Sequence, residues 1–305
     1  MVEASSDKPK MLYRYLGNSG LKVSVIGYGN WINGHDAKAQ QFTTECIKAA
    51  YDAGVNFYDT AEIYGNGQAE TLMGVAFKEL ALRREDLVVS TKIMSCGSGV
   101  NDRFMSRKHI IEGLDNSLKR LQLDYVDVVF SHRPDYETSL EETCAAYHHI
   151  IEQGKAFYWG TSEWPASRIF AAIGICEKNG WHKPIVEQPQ YNMLVRKRFE
   201  SEYAHLFAQT GYGTTIWSPL AMGLLTGKYD SGEIPEGSRF NLQQNLGHYF
   251  TKYFGEGEKE KTQAKFAKLK EIATELGGTQ AQLGLAWAMA NKDVSVALCG
   301  FTRME

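Results

Sequence analysis

Apolar and polar positions repeat along this chain in a steady rhythm. A short apolar run ends in a polar residue, a loop follows, and then comes a segment with apolar residues three and four apart. Gln41–Ala53 has helical spacing and stops at Gly54, and Val55–Asp59 then reads as a strand. The same alternation predicts helices over Ala69–Leu82, Ser106–Leu121, Ser139–Gln153, Pro165–Asn179 and Phe199–Thr210. It predicts strands over Leu87–Lys92, Tyr125–Ser131, Ala156–Thr161, Ile185–Gln188 and Thr214–Ser218. Ser139 with Glu142 forms a start signal, and Gly154 and Gly180 are stops. The rhythm breaks over Pro219–Tyr253, a long irregular stretch of the kind that carries function. Helices resume at Lys259–Leu276 and Thr279–Asn291, and a last strand covers Val294–Cys299.

Before the rhythm starts, Tyr13 and Tyr15 alternate ahead of Gly17-Asn18-Ser19-Gly20, and Leu21, Val23 and Val25 alternate after it, which is a hairpin signal within Met11–Gly29. Ile26–Gly29 then supplies a first strand. About eight strands alternate with helices in units of roughly 30–40 residues, which fits an α/β chain closed into a (β/α)8 TIM barrel. One domain is expected over residues 11–305, after a loose polar tail over residues 1–10. The pattern also predicts a closing C-terminal helix, which is missing before Glu305.

Composition narrows the function classes. The formal net charge is −3 with no long basic run, so nucleic acid is a poor candidate partner. Nothing approaches the ~18 apolar residues of a membrane span, and the first ten residues lack a signal-peptide core. The 5 cysteines are scattered, as expected of reduced thiols in a cytoplasmic protein. No Gly-x-Gly-x-x-Gly follows a strand, and Gly223–Lys228 falls one residue short of a phosphate loop. His148 and His149 are adjacent on a helix and do not share a face, so no metal is predicted.

The candidate chemistry sits where strands end. Asp59 closes one strand and Tyr64 follows in its loop; Lys92 ends the next strand, and His132 follows the one after. A Lys ammonium beside a Tyr favours the phenolate, so the Tyr pKa is expected to fall. An Asp paired to that Lys would hold it, and the His could orient a carbonyl or share the proton. Taken singly, Asp59 with Lys92 reads equally as a structural ion pair, Tyr64 as packing and His132 as a satisfied loop histidine. Four such residues in order at strand ends favour a site. Lys92 on a barrel strand also keeps a Schiff-base aldolase open.

Asp59, Tyr64, Lys92 and His132 together resemble the catalytic tetrad of the aldo-keto reductases. Asn56–Glu62, Ser106–Gly113, Leu118–Val129, Tyr158–Ser162 and Trp217–Tyr229 are similar to the branch that contains voltage-gated potassium channel beta subunits. The resemblance covers residues 11–302. It implies a barrel with an N-terminal hairpin cap, NADPH bound without a dinucleotide-binding domain, and reduction of aldehydes or ketones to alcohols. By position it makes Tyr64 the general acid, tuned by Lys92 and Asp59, with His132 orienting the carbonyl. Ser162 and Gln188 match the groups on the nicotinamide carboxamide, and Trp217 the aromatic stacked on its ring. Ser218, Pro219, Leu220 and Gly223 match the pyrophosphate loop. Lys228, Ser238 and Arg239 match the adenosine phosphate end, and Gly300 and Thr302 begin the last phosphate segment. Trp217 alone reads as a core aromatic and Arg239 as a loop charge.

The resemblance also makes Trp31 a cofactor contact, and Tyr28, Trp31, Tyr64 and Trp164 are expected to line an aromatic substrate pocket. The channel subunits carry Asn where His132 stands, and Arg where Glu163 stands. The intact tetrad favours turnover, and an acid at Glu163 is expected to alter cofactor affinity. The branch also implies the alternative of an NADP(H)-binding regulatory module with slow turnover, a membrane channel alpha subunit as partner, and a homotetramer.

Overall fold

Each apolar run becomes a strand, and each strand keeps one face for the barrel axis. The computed structural model describes residues 10–31 and 38–300; Thr302 and all but the last residue of the expected tail lie outside the described residues. The hairpin pairs β1 (Tyr13–Tyr15) with β2 (Lys22–Ser24). The units that follow are β3 (Ile26–Gly29), α1 (Ala39–Asp52), β4 (Phe57–Asp59), α2 (Gln68–Glu79), β5 (Val88–Ile93), α3 (Arg107–Leu121), β6 (Val126–Ser131) and α4 (Leu140–Glu152). Then come β7 (Ala156–Ser162), α5 (Ala166–Asn179), β8 (Val186–Gln188), α6 (Ala204–Thr210) and β9 (Gly213–Ile216). After short helices α7 (Arg239–Leu242) and α8 (Gly247–Phe254), α9 (Lys259–Glu275) and α10 (Gln280–Ala290) lead to β10 (Val296–Cys299). The barrel closes in the order β10-β3-β4-β5-β6-β7-β8-β9, every neighbour parallel.

Period-two alternation sorts the strand residues. Phe57, Val88, Val128, Phe130, Val186, Val296 and Leu298 pack together inside the barrel with Leu16 and Val23 of the hairpin. Tyr58, Val89, Val129 and Trp159 face outward and join the core beneath the helices. The hairpin therefore plugs one end, and full burial of Leu16 and Val23 contributes about 1.5–3 kcal/mol each. Gly17, at φ +58, touches Gly213 so closely that a Cβ would fall 2.3 Å from the Gly213 nitrogen. Arg14 ties the same plug to the carbonyls of Met289 (2.7 Å), Asn291 (3.1 Å) and Val294 (2.6 Å).

Helix starts obey local rules. Ser106 and Ser139 accept from the His109 and Glu142 amides at 3.2 and 3.1 Å, and Thr279 with Gln282 makes a full capping box. Two elements depart from the sequence reading. The helix expected over Phe199–Thr210 opens as a π-turn, Arg198–Glu202, before α6. Part of the stretch expected to be irregular is helical, because Phe250 and Phe254 stack one turn apart (4.8 Å) and reach Tyr229 and Phe266. Among the described residues no helix is long and apolar enough to cross a membrane.

Candidate active site

The inward face that carries Val88 also carries Ser90 and Lys92, and the one that carries Val186 carries Gln188. Apolar residues fill the closed end of the barrel, and polar ones emerge at the C-terminal ends of the strands. Lys92 has no exposed surface, and its Nζ reaches Asp59 Oδ2 at 2.5 Å, the Thr60 carbonyl at 2.7 Å and the Tyr64 hydroxyl at 3.3 Å. Ser90 donates to Asp59 Oδ1 at 2.7 Å, and Gln188 Nε2 donates to the same oxygen at 3.1 Å from across the barrel. His132 stands edge-on to Tyr64, ring centres 5.8 Å apart, with its Nδ1 buried and without a hydrogen-bond partner among the described residues. The four residues predicted at strand ends are thus brought together.

The electrostatics correct one expectation. Burial pushes the Tyr64 phenol up more than Lys92 pulls it down, so its pKa is raised, not lowered. Burial also lowers Lys92, but Asp59 and Tyr64 outweigh it, and the ammonium is held above its usual value. Burial, then Lys92 and Arg133, drive His132 well below the usual imidazole value. His132 is therefore neutral at ordinary pH; its single ring N–H can orient a carbonyl by hydrogen bonding, but it carries no second proton to give up as an acid.

Around this centre, Ser162 donates to the Gln188 carbonyl at 2.9 Å and accepts from Arg133 at 3.0 Å. Trp217 lies just beyond β9 and donates its indole N–H to Glu163 Oε1 at 2.9 Å. Glu163 also accepts from the Gln190 amide at 2.6 Å and pairs with Arg198 at 2.5 Å, so the acid braces the Trp217 ring. Pro219 is buried and Leu220 half-buried in a segment where Ser218, Ala221 and Met222 all hold positive φ, a cluster of strained backbone. Gly223 in that segment, at φ +97, leaves its surface clear where a Cβ would meet the Tyr229 ring at 3.4 Å. Lys228 is exposed beside it, and Gly300 is exposed just beyond β10.

Arg239 and Trp31 meet on the rim: the guanidinium lies 4.9 Å from the indole centre, and the Trp31 ring is 6.3 Å from that of Tyr64. Ser238 Oγ is buried and, among the described residues, has no hydrogen-bond partner. Two predicted pocket residues are elsewhere. Tyr28 and Trp164 have no exposed surface. Tyr28 is in register with Tyr58, which faces outward, so it points into the helix layer, 6.2 Å from that ring. Trp164 packs under Arg168 and Tyr203.

The geometry matches a known family. The description "Aldo/keto reductase family" fits residues 25–305. The chain belongs to the aldo/keto reductase family. Membership makes it an oxidoreductase fold of carbonyl chemistry, in a family that generally uses NADP(H). Its relatives include a protein of Arabidopsis thaliana named "Probable voltage-gated potassium channel subunit beta", 48% identical over 296 residues, or 96% of this chain and 88% of that one. A protein of the same name from Oryza sativa subsp. japonica is 47% identical over 293 residues, with 96% and 88% covered.

Sequence reasoning missed several contributors. Glu62 has its carboxylate on the Met94 amide and 3.0 Å from His109 Nε2. Arg120, braced by Glu70 at 2.6 Å, underlies Gly67 in the loop after Tyr64. Gln188 was predicted as a cofactor group, but its bond to Asp59 was not; only the shared inward parity of β4 and β8 could have signalled it.

Proposed function

We propose that the protein reduces aldehyde or ketone carbonyls to alcohols with NADPH, Tyr64 acting as general acid. The observation that carries this is the buried chain Asp59–Lys92–Tyr64, ending at a neutral His132. Raised by burial, the Tyr64 phenol holds its proton at neutral pH and is ready to give it to a carbonyl oxygen. Lys92 then stabilises the phenolate left behind. Asp59 and the Thr60 carbonyl keep Lys92 an aimed cation, which argues against a Schiff-base role for its amine. His132 steadies the carbonyl by hydrogen bonding without changing charge.

The residues fit a dinucleotide phosphate. Arg239 is drawn down to about 10 by burial, and among the described residues no carboxylate pairs with it. Next to it, the buried Ser238 Oγ has no hydrogen-bond partner among the described residues. These two, with Lys228, would hold the adenosine phosphate; Ser218, Pro219, Leu220, Gly223 and Gly300 the pyrophosphate; Ser162, Gln188, Trp217 and Trp31 the nicotinamide end. The bound cofactor supplies hydride. Thr302 belongs to the same proposal, as does one domain over residues 11–305.

The test is NADPH oxidation at 340 nm with a panel of aldehydes and ketones. Tyr64→Phe is expected to lower turnover by about 10²–10⁴-fold while leaving NADPH bound. Turnover unchanged in that variant removes Tyr64 as the acid. The names of the relatives favour a second reading, a potassium-channel subunit; in that reading we take the protein to be a cytoplasmic, tetrameric regulator with slow turnover that holds NADP(H) beside a channel alpha subunit. Tight NADPH binding with almost no oxidation of any carbonyl would favour it.

A further inference from the structure

Among the described residues, one group of histidine and carboxylate side chains has metal-ligand spacing, and it belongs to the outer helix layer. His148 and Glu152 are one turn apart on α4 and share a face. His182 arrives from the turn between α5 and β8. The ligand atoms of the three all lie within 4.8 Å of one another. His182 Nε2 is 2.8 Å from Glu152 Oε1, and the two histidine rings are 5.2 Å apart.

The surroundings hold this arrangement. Trp159 donates its indole N–H to the His182 carbonyl at 2.7 Å, which anchors the turn to β7. The Trp181 amide bonds the Cys176 carbonyl at 2.8 Å, and the Trp181 ring stacks on His148 at 6.1 Å. His149, next on α4, does not share a face with His148. An exposed His–Glu pair adds little stability by itself, which gives little reason for so firm a mount.

We propose that His148, Glu152 and His182 form a binding site for a divalent transition metal of the zinc class. Two imidazoles and one carboxylate are a zinc donor set that leaves a fourth position for water, and they disfavour magnesium and calcium, which take oxygen ligands. Bonds of about 2.0–2.2 Å put tetrahedral ligand atoms roughly 3.3 Å apart. The cluster closes to that span by side-chain rotation, and the ion reaches it from solvent because the Glu152 and His182 side chains are 61% and 49% exposed. Binding exchanges the His182 Nε2–Glu152 Oε1 hydrogen bond at 2.8 Å for bonds to the ion and, where His148 ligates through Nδ1, gives up the long contact from the His182 amide at 3.4 Å. It clasps α4 to the turn before β8. It uses the imidazoles in their unprotonated form.

The test is titration calorimetry of the untagged chain with zinc chloride at pH 7.5, then with magnesium chloride. One zinc per chain is expected, with no magnesium binding, and cobalt(II) should give visible ligand-field bands. His182→Ala and Glu152→Gln should each weaken zinc at least tenfold, while their melting temperatures without metal match the parent. Absence of saturable zinc binding overturns the site, as does undiminished affinity in both variants. Neither result depends on carbonyl reduction, so the proposal stands apart from the catalytic reading.

Discussion

Arg239 carries a cation in a setting that opposes it. Burial lowers its pKa to about 10, and it rests on the Trp31 ring and the Met222 sulfur rather than on an acid. An unpaired, desolvated charge costs stability. Arg239→Met is therefore expected to stabilise the ligand-free protein by up to ~1 kcal/mol in urea unfolding. The same change should weaken NADPH by about ten- to a hundredfold, the loss of a charge-assisted phosphate contact, and NADH much less. Equal losses for both nucleotides would take Arg239 out of the phosphate site. At this scale the sequence was informative about residue type and strand position: Asp59, Lys92 and His132 were readable because a charge ends an apolar run. Side-chain direction was harder. Tyr28 was misjudged because one step of strand parity separates the barrel interior from the helix layer.

The loop from β4 to α2 has to deliver Tyr64 to Lys92, and the fold fixes it through Glu62. The Glu62 amide donates to the Lys92 carbonyl at 3.2 Å, and its buried carboxylate accepts from the Met94 amide and meets His109 of α3. This pair from outside the tetrad sets the spacing of the loop from the end of β5. Glu62→Ala leaves the Met94 amide and His109 without their partner and should cost about 1–3 kcal/mol of stability. It should lower kcat more than it changes KM, because Tyr64 is misplaced rather than lost. Glu62→Gln keeps an acceptor for Met94 and should restore most of kcat; a Glu62→Ala enzyme with normal kcat would show that the loop holds itself. Elements with start and stop signals, such as α4, were readable in advance. The helix α8 was not, since its only strong signal is the aromatic spacing of Phe250 and Phe254, which matters once Phe266 of α9 lies opposite.

Closure of the barrel brings together residues that no local pattern connects, such as Gln188 and Asp59, 129 positions apart. The count of strand–helix units made closure legible; the pairing across the axis needed the register. Closure also buries acids on the outer faces of strands. Glu187 of β8 has no exposed surface and is hydrogen-bonded by Thr161, the Trp164 amide and Tyr203, yet burial outweighs these and raises its pKa to about 8. In the unfolded chain it would titrate near ~4.3. The folded protein thus binds the extra proton, and the stability this gives is full at low pH and lost as pH rises through 8. His132 acts in the opposite sense: its folded pKa is depressed, so its contribution is lost as pH falls below about 6.5. A comparison between pH 7 and pH 9 separates them, because His132 is neutral in both states there. Over that interval Glu187 alone should lower stability by about 1.4 kcal/mol, or roughly 2 °C in Tm for a chain of this size. Glu187→Gln has no such proton to lose, so its Tm should fall less than the parent's over the same interval, whatever constant offset the substitution brings. If parent and variant fall equally, Glu187 does not titrate in that interval, and the pH dependence of the fold must come from other buried groups.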